Sequence, residues 1–374
     1  MKHRFILIGL VIGIGLGCAG LLMGLMAHRA QAMPTILIWQ QVNTNGFGDN
    51  MIKQLPSLAV FGDYLYAGAW HYDETGNHTA QIWRTSTGVN WEMVDIRLVD
   101  GTAAMIPFKG FLYAGSWDGH IWSSTNGTTW TEIVTNGFDG SGQGIARFAV
   151  YNDTLYASTW YTGTEIWRTS NGMAWEPFVE NGLGTLNNNG AIASETFNEQ
   201  LYWGVDNKVT GAQLWRTNGT TTTAIITNGF GNAQNKSISS LAVFGNSLYA
   251  GLYNSNGVQV WRSANGIDWE PIDCEFGNPY TVEESGMEVY DGQLYLAVRN
   301  NKTGMEVWST SNGTDWEREG FGGFGDANNQ WSYWDNAMTV FKGKLYVATN
   351  NWPTGGEIWR LTDGFVSFLP VLRK

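Results

Sequence analysis

The sequence predicts an all-β protein, a seven-bladed β-propeller of four-stranded blades closed by its N-terminal strand. A Leu-Tyr dipeptide recurs in seven units, spaced 43 to 51 residues apart, from residues 65–66 to residues 345–346. A Trp followed by a tight turn and a second Trp recurs at the same period, most clearly between Glu165 and Trp175. A blade-sized period, 20 Trp and 48 Gly are typical of radially repeated β-structure.

Each repeat is predicted to contain four short strands, named A to D in chain order. In the first unit, strand A is residues 58–61, a tight turn is residues 62–63, strand B is residues 65–69, strand C ends at residue 84 and strand D starts at residue 91. The turn between strands C and D carries Asn171-Gly172 in the clearest copy. Both residue types tolerate the positive φ of a tight hairpin. We expect the Trp of strand C, such as Trp167, to be buried.

The two ends of the repeat array complement each other. The seventh unit ends after Ile358-Trp359-Arg360 without a second Trp, whereas residues 39–42 resemble a strand D that no A, B or C strand precedes. Residues 39–42 are therefore predicted to complete the last blade and remove its open edge. One propeller domain over residues 36–374 follows. A solenoid is the structural alternative, and it would leave Trp39 unexplained.

The N-terminal segment predicts export. Lys2 and Arg4 precede an uncharged run at residues 5–27, and a small-x-small motif ends at Ala32. Residues 1–32 fit a signal peptide that is cleaved after Ala32. The run is also long enough to span a bilayer, so an uncleaved membrane anchor is an equal alternative. Either way, the propeller is predicted to be extracellular or at the cell surface, with membrane contact through this segment alone.

The charge of the chain excludes some partners. Only 14% of residues are charged, and the formal net charge is −12. Nucleic-acid binding requires clustered Lys and Arg, which the sequence lacks, so no nucleic-acid partner is expected. The two cysteines, Cys18 and Cys274, cannot hold a domain of this size together. We expect a monomer with an uncharged surface rich in hydrogen-bonding groups.

The turns between strands C and D resemble the Asp-box (BNR) repeat of sialidases, sortilin-type receptors and secreted bacterial propellers. That pattern is Ser-x-Asp-x-Gly-x-x-Trp, and residues 123–130 match it at Ser123, Gly127 and Trp130, with Thr125 at the Asp position. The resemblance implies a sialidase-like architecture. It does not imply sialidase activity, because the boxes lie away from the active site in that family. The chain also lacks the family's Arg-Ile-Pro signature.

A propeller of this kind has two unlike faces. The A–B and C–D turns share one face, and the longer, variable B–C and D–A loops share the other, where function is expected. Aromatic residues begin several B–C loops: Trp70, Trp117, Trp160, Tyr161, Tyr253 and Trp352. Exposed rings beside Asn, Asp and Thr suit the apolar faces and hydroxyls of sugars. We therefore predict binding of a glycan; an extracellular protein partner is the alternative, and packing between blades is the structural explanation.

Catalysis is a further alternative. Arg147, Glu195 and Glu288 stand in strand A where sister units carry small or uncharged residues, so they are predicted to line the central channel. A carboxylate pair beside an arginine could serve a glycoside hydrolase or lyase. A water-filled channel that tolerates polar groups explains the same residues without catalysis. Taken together, these sequence features favour a binding protein over an enzyme.

Two metal sites can be formulated from the sequence, neither with a dedicated motif. His71, His78 and His120, together with Asp118, occupy two neighbouring B–C loops and are ligand types for Zn²⁺. Asn-Gly-Phe-Gly-like D–A turns recur at residues 45–49, 136–139, 181–184, 228–231 and 322–326. Their carbonyl and carboxylate oxygens could hold Ca²⁺. A repeated turn whose Phe packs between blades is the structural alternative, and it fits the pattern better.

Overall fold

The structure is a computed structural model of the chain. It describes residues 36–99, 101–140, 142–161, 163–273, 276, 279–330 and 337–364. The predicted export segment, residues 1–32, and the last ten residues of the predicted domain lie outside the described residues. Within the described part of the chain, no helix is long and apolar enough to cross a membrane.

The described residues form seven antiparallel sheets of four strands each, so the predicted β-propeller is confirmed. Strand β1 (Ile36–Gln41) comes first and belongs to the last blade. Blade 1 is β2 (Ile52–Phe61), β3 (Tyr64–Tyr72), β4 (His78–Thr85) and β5 (Glu92–Val99). Blade 2 is β6 (Thr102–Phe108), β7 (Phe111–Ser116), β8 (Ile121–Ser124) and β9 (Thr131–Val134). Blade 3 is β10 (Ile145–Tyr151), β11 (Thr154–Thr159), β12 (Ile166–Thr169) and β13 (Glu176–Val179).

The remaining blades repeat the same order. Blade 4 is β14 (Asn188–Phe197), β15 (Gln200–Asn207), β16 (Gln213–Thr217) and β17 (Thr222–Ile226). Blade 5 is β18 (Asn235–Phe244), β19 (Ser247–Asn254), β20 (Gln259–Ser263) and β21 (Glu270–Ile272). Blade 6 is β22 (Thr281–Tyr290), β23 (Gln293–Asn300), β24 (Gly304–Thr310) and β25 (Glu317–Arg318). Blade 7 is β26 (Met338–Phe341), β27 (Lys344–Ala348), β28 (Ile358–Gly364) and β1.

The N-terminal strand closes the ring, as predicted. Strand β1 pairs with β28, with Trp39 opposite Leu361 and Gln40 opposite Arg360. In blade 1, Glu92 is opposite Arg84, so Trp39 takes the strand D position that Trp91 takes there. The paired strand, Ile36–Gln41, begins three residues before the predicted start. Pairing with β1 covers the edge that β28 would otherwise leave open.

The hydrophobic core is divided among the seams between neighbouring blades. At the seam of blades 1 and 2, for example, Tyr66, Ile82, Met105 and Trp122 are all buried in one cluster. A β-sheet that is apolar on both faces must be covered on both sides, and only a neighbour in the ring can do this. The seam contacts therefore determine whether a blade is stable.

The tyrosine of the repeated Leu-Tyr pair packs on the glycine of the next blade's C–D turn. Such pairs are Tyr66 with Gly127, Tyr113 with Gly172, Tyr202 with Gly266, Tyr249 with Gly313 and Tyr346 with Gly88. A Cβ added to any of these glycines would lie 1.8 to 2.0 Å from the tyrosine hydroxyl oxygen. The two repeated motifs of the sequence are thus the two halves of one contact between blades.

We expect Gly172→Ala to lower the free energy of unfolding by about 3 kcal/mol, because it combines a left-handed backbone with a steric overlap. Gly172 has φ +77°, and its Cβ would meet Tyr113. Gly110 is the matched control, since its φ is +79° and no atom lies within 4 Å of its Cβ position. Gly110→Ala should cost only about 1 kcal/mol. Equal urea midpoints for the two variants would contradict the seam contact.

The C–D turns are stabilised by a hydroxyl and an amide. In blade 2, Ser124 Oγ accepts the N–H of Gly127 at 2.8 Å. Asn126 Oδ1 accepts the N–H groups of Thr128 and Thr129 at 2.9 and 2.8 Å. These are the local side-chain bonds that fix tight turns. The serine that stabilises the turn is therefore Ser124, one residue after Ser123, which was aligned with the Ser of the Asp-box pattern.

The recurrent D–A turns place an aromatic ring on the Trp of strand C. Phe47 stacks on Trp83 at 4.4 Å between ring centroids, and Phe138 stacks on Trp167 at 4.7 Å. Gly46 and Phe47 both have positive φ, 53° and 55°, so the strained conformation is not confined to glycine. Trp83 and Trp167 are half-buried, not buried as expected, so stacking with the phenylalanine covers only part of each side chain.

Candidate functional site

Aromatic side chains form a continuous arc on the face of the B–C loops. The centroids of Trp70 and Trp117 are 5.8 Å apart, and those of Trp117 and Trp160 are 5.7 Å apart. Three adjacent blades supply these three rings from one equivalent position, five residues after the Leu of strand B. Aromatic rings at such distances attract one another beyond simple burial. Trp70, Trp117 and Trp160 are therefore neighbours in one row.

Three further contacts extend the arc at its ends. Tyr72 lies 6.5 Å from Trp70 and 5.0 Å from Trp352, which brings blade 7 into the arc. At the other end, Tyr161 lies 5.8 Å from Trp117. We call Trp352, Tyr72, Trp70, Trp117, Trp160 and Tyr161 the aromatic arc. It crosses blades 7, 1, 2 and 3.

Exposure along the aromatic arc is uneven, which differs from the expected set of equivalent open rings. Trp70 is only 7% exposed, and its Nε1 donates to Thr102 O at 3.2 Å. Trp117 and Trp160 are half-buried. The open rings are at the two ends, where Trp352 is 52% and Tyr161 is 45% exposed. The inner rings support the surface, and the end rings can contact a ligand.

Tyr161 has a backbone conformation that few residues adopt. Its φ is 101°, in a region where side chains are strained, and its N–H donates to Asn189 O at 2.7 Å. Strain of this kind persists only where the surroundings impose it, and it is concentrated at functional sites. Tyr253, the remaining predicted ligand-binding aromatic, is half-buried in blade 5 and has no ring contact with the aromatic arc among the described residues.

The opposite side of the same face is polar, which was not expected from the sequence. Asp206 and Arg299 occupy, in blades 4 and 6, the position that Trp70 occupies in blade 1. Arg299 Nη1 lies 3.7 Å from Glu283 Oε2. Burial raises the pKa of Asp206 and raises the pKa of Glu283 to about 7. The sequence did contain a signal for these two charged residues. Both stand five residues after the Leu of strand B, the position that Trp70 occupies in blade 1.

The three polar residues of strand A do meet, in a channel cavity of about 410 Å³. Arg147, Glu195 and Glu288 line it together with apolar residues of the inner strands. Arg147 Nε donates to Ser194 Oγ at 3.2 Å. Burial raises the pKa of Glu195, although the Thr196 N–H and the Arg147 charge oppose this. Burial, together with the nearby Glu195 charge, raises the pKa of Glu288 to about 7.

The raised pKa of Glu288 predicts a pH-dependent stability. The folded protein retains a proton on Glu288 between about pH 4.5 and about pH 7, whereas the unfolded chain has lost it. Stability therefore falls as pH rises through this range. We expect Glu288→Gln to match the native protein near pH 4 and to be about 2 kcal/mol more stable near pH 8. Urea unfolding at both pH values measures this, and an identical pH slope in the two proteins would contradict it.

The predicted histidine ligands contact different carboxylates instead of converging on one point. His71 Nε2 lies 3.1 Å from Asp49 Oδ2. His120 contacts Glu132 through Nδ1 and lies 3.5 Å from Asp118 through Nε2. His78 begins β4, and its side chain is outside the described residues. Within the described part of the chain, no group of three or more His, Cys, Asp or Glu side chains is arranged to hold a metal ion.

The carbonyl oxygens of the D–A turns already accept hydrogen bonds. Gly46 O accepts the N–H of Asp49 at 3.0 Å. In three other turns, the glycine carbonyl also accepts an asparagine Nδ2 at 2.8 to 3.0 Å, in the pairs Gly182 with Asn188, Gly229 with Asn235 and Gly323 with Asn329. These oxygens stabilise the turn, which matches the structural explanation of the motif.

Comparison with known proteins identifies the architecture and no family. No protein-family model matches the chain, and no curated protein matches it. The solved structure of YCF48 bound to D1 peptide is similar, with a TM-score of 0.56 and 12% identity. That match covers 89% of this chain and 96% of the other.

Two archaeal structures are similar to nearly the same extent. The β-propeller domain of the trilobed protease from Pyrococcus furiosus matches with a TM-score of 0.53 and 8% identity, over 83% of this chain and 97% of that domain. The Pyrococcus horikoshii acylaminoacyl peptidase matches with a TM-score of 0.54 and 9% identity, over 86% of this chain. This chain spans 53% of that peptidase. At these identities the comparisons establish the fold alone: the chain is similar to β-propellers, a fold that commonly serves as a scaffold for ligands or protein partners.

Proposed function

We propose that this protein is an exported, non-catalytic binding propeller that holds neutral glycan on the face of its B–C loops. The aromatic arc carries the proposal, because it ends in two exposed rings, Trp352 and Tyr161, on one face of a rigid ring. Sugars offer apolar faces for stacking and hydroxyls for hydrogen bonds, and amphipathic aromatics suit both. The charge of −12 disfavours acidic polymers, which makes neutral polysaccharide the better ligand class.

Export and the repeat family are part of the same proposal. Residues 1–32 have the sequence of an export signal or anchor, which would place the propeller where polysaccharides are abundant. We also interpret the C–D turns as degenerate Asp-box repeats. Asn126 Oδ1 accepts hydrogen bonds from two backbone N–H groups. This supports the interpretation, because a side-chain oxygen at residue 126 organises the turn.

Affinity electrophoresis through neutral and acidic polysaccharides, at two salt concentrations, tests the proposal. We expect retention by a neutral polymer that salt does not abolish, and a clear loss of retention in Trp352→Ala and Tyr161→Ala. Phe321→Ala is the matched control, because Phe321 is 85% exposed and lies outside the aromatic arc. Retention by acidic polymers alone would contradict the stacking mechanism. Absence of retention by any polymer would favour a protein or peptide ligand, the class that YCF48 holds in its complex with D1 peptide.

A glycoside hydrolase or lyase is the second candidate, favoured by one observation. Glu288, with a pKa of about 7, shares the channel cavity with Glu195. Glycoside hydrolysis uses one protonated and one ionised carboxyl group. If the channel were catalytic, the native protein would release reducing ends from a bound polysaccharide, and Glu288→Gln would not. We expect no release by the native protein and unchanged retention of Glu288→Gln.

A further inference from the structure

Blade 4 differs from the other six blades at one position of strand D. Trp175 precedes Glu176, which pairs with Arg168 in blade 3. In blade 4, Thr223 pairs with Arg216, so Thr222 stands where the other blades have tryptophan. The equivalent residues elsewhere are Trp91, Trp130, Trp269, Trp316 and Trp39. Each of these rings packs into the seam with the preceding blade. The seam between blades 3 and 4 has no strand D tryptophan and instead buries Trp203 of strand B.

The seam between blades 3 and 4 is more open than the other seams for which this contact is described. The tyrosine of blade 3 is Tyr156, and the turn glycine of blade 4 is Gly219. A Cβ on Gly219 would lie 3.5 Å from the Tyr156 hydroxyl oxygen, whereas the corresponding distances at five other seams are 1.8 to 2.0 Å. The turn of blade 4 therefore lies farther from the tyrosine of blade 3 than the equivalent turns do at those five seams.

A groove of about 590 Å³ occupies this seam on the face of the C–D turns, opposite the aromatic arc. Its walls include Tyr156 and Trp175 from blade 3 and Asn218 and Thr220 from blade 4. The volume is within the range of small-ligand sites. We call it the seam groove.

Two amide donors on the walls of the seam groove have no acceptor within the part of the chain that the structure describes. In blades 2, 5 and 6, the turn asparagine donates its Nδ2 to the residue three places later, as Asn126 to Thr129, Asn265 to Asp268 and Asn312 to Asp315. Blade 3 has Ala174 at that place and blade 4 has Thr221, whose hydroxyl bonds to Asn218 Oδ1 instead. Among the described residues, Asn171 Nδ2 and Asn218 Nδ2 therefore have no hydrogen-bond acceptor. Both are exposed and border the seam groove.

The charges of the seam groove balance. Arg168 Nε donates to Glu176 Oε1 at 2.8 Å, and Arg168 Nη1 donates to Gly219 O at 2.8 Å across the seam. The groove thus combines amide donors, a carboxylate acceptor, hydroxyls and the indole of Trp175 without net charge. A neutral ligand with adjacent hydroxyl groups matches these donors and acceptors, because each hydroxyl both donates and accepts a hydrogen bond.

We propose that the seam groove is a second binding site, which takes one or two pyranose units of a neutral saccharide. Asn171 and Asn218 donate to ring hydroxyl oxygens, Glu176 accepts from hydroxyl groups, and Trp175 provides an apolar wall. This site does not depend on the aromatic arc, since it lies on the other face and uses other blades. A propeller with both sites could join two polysaccharide chains.

The test is isothermal titration of the full chain with maltotriose, cellotriose and mannotriose. We expect binding of at least one trisaccharide, with a dissociation constant near the millimolar range. Asn171→Asp with Asn218→Asp removes both donors but keeps the oxygen that fixes each turn, and it should weaken binding about tenfold. Thr220→Trp places a bulky ring at an exposed residue that lines the groove, and it should abolish binding while unfolding at about the same urea concentration.

The control separates this site from the proposed function. Trp352→Ala should leave trisaccharide binding in the seam groove unchanged, although it weakens retention by polymers through the aromatic arc. Failure of all three trisaccharides to bind the native protein would overturn the proposal. Binding that persists unchanged in the double asparagine variant and in Thr220→Trp would also overturn it, because the ligand would then occupy another site.

Discussion

Deletion of residues 39–42 is expected to destabilise the whole propeller by about 5 kcal/mol. The deletion removes a Trp from the seam of blades 6 and 7, and large-to-small changes at aromatic core positions alone cost about 3–5 kcal/mol. Trp39 packs against Phe324 at 5.3 Å in the cluster that contains Tyr295. Val42 is buried in the seam of blades 7 and 1, and its N–H donates to Ile358 O at 2.8 Å. Two seams weaken together, because this strand links the ends of the chain.

Equilibrium urea unfolding of the full and shortened proteins measures the effect. Leu37→Ser is the control on the same strand, since Leu37 is 38% exposed and its side chain can change without opening a seam. That variant should lose less than about 1 kcal/mol. An unchanged urea midpoint after the deletion would mean that ring closure by β1 does not stabilise the fold.

The architecture was predictable because its causes are local and repeated. Strand B and the C–D turn each leave a short signature, Leu-Tyr and Asn-Gly, that recurs along the chain. The unmatched Trp39 predicted the closure, since a strand D without a blade has only one place to pair. The boundaries were less accurate: β1 starts at Ile36, because backbone pairing with β28 continues beyond the Trp that carries the motif.

Contacts between blades could not be read from the sequence in the same way. The spacing of Tyr113 and Gly172 gives no indication that they touch, because the contact joins two blades. The left-handed conformation of Phe47 was equally hidden, since glycine was the expected carrier of positive φ. Stacking on Trp83 holds that Phe in place, and only the folded ring brings the two together.

The sequence predicted that the aromatic residues after strand B share one face, but it could not predict their exposure. The B–C loops do bring Trp70, Trp117 and Trp160 to one face, as equivalent positions in a ring must be. Sequence alone could not show that Trp70 is covered while Trp352 is open, because burial depends on the neighbouring blade. The charged residues Asp206 and Arg299 were not predicted, because their equivalence to Trp70 depends on the register of strand B rather than on residue type.

Both proposed sites lie at positions where the seven blades carry different residues, not at the positions that the repeat keeps the same. Six blades place a strand D Trp in the seam with the preceding blade, whereas blade 4 has Thr222 at that position and borders the seam groove. Blades 7, 1, 2 and 3 carry aromatics after strand B, and blades 4 and 6 carry Asp206 and Arg299. The identical contacts keep the scaffold rigid, so that individual positions are free to differ in chemistry.

The consensus contacts themselves predict a second large loss of stability, in Trp167→Ala. Trp167 stacks on Phe138 at 4.7 Å with ring planes 11° apart, and its Nε1 donates to Glu165 Oε2 at 2.8 Å. The stack also holds the D–A turn that carries Phe138 against blade 3. We expect a loss of about 3 kcal/mol, the lower end for aromatic truncations, because Trp167 is half-buried.

The matched control for Trp167→Ala is Trp352→Ala, which removes the same atoms from a ring that is 52% exposed. The two variants should separate the roles of tryptophan in this fold. Trp167→Ala should lower the urea midpoint and keep polysaccharide retention under native conditions, whereas Trp352→Ala should keep the midpoint and lose retention. The opposite pattern would place the binding surface on the strand C tryptophans and contradict the assignment of the two faces.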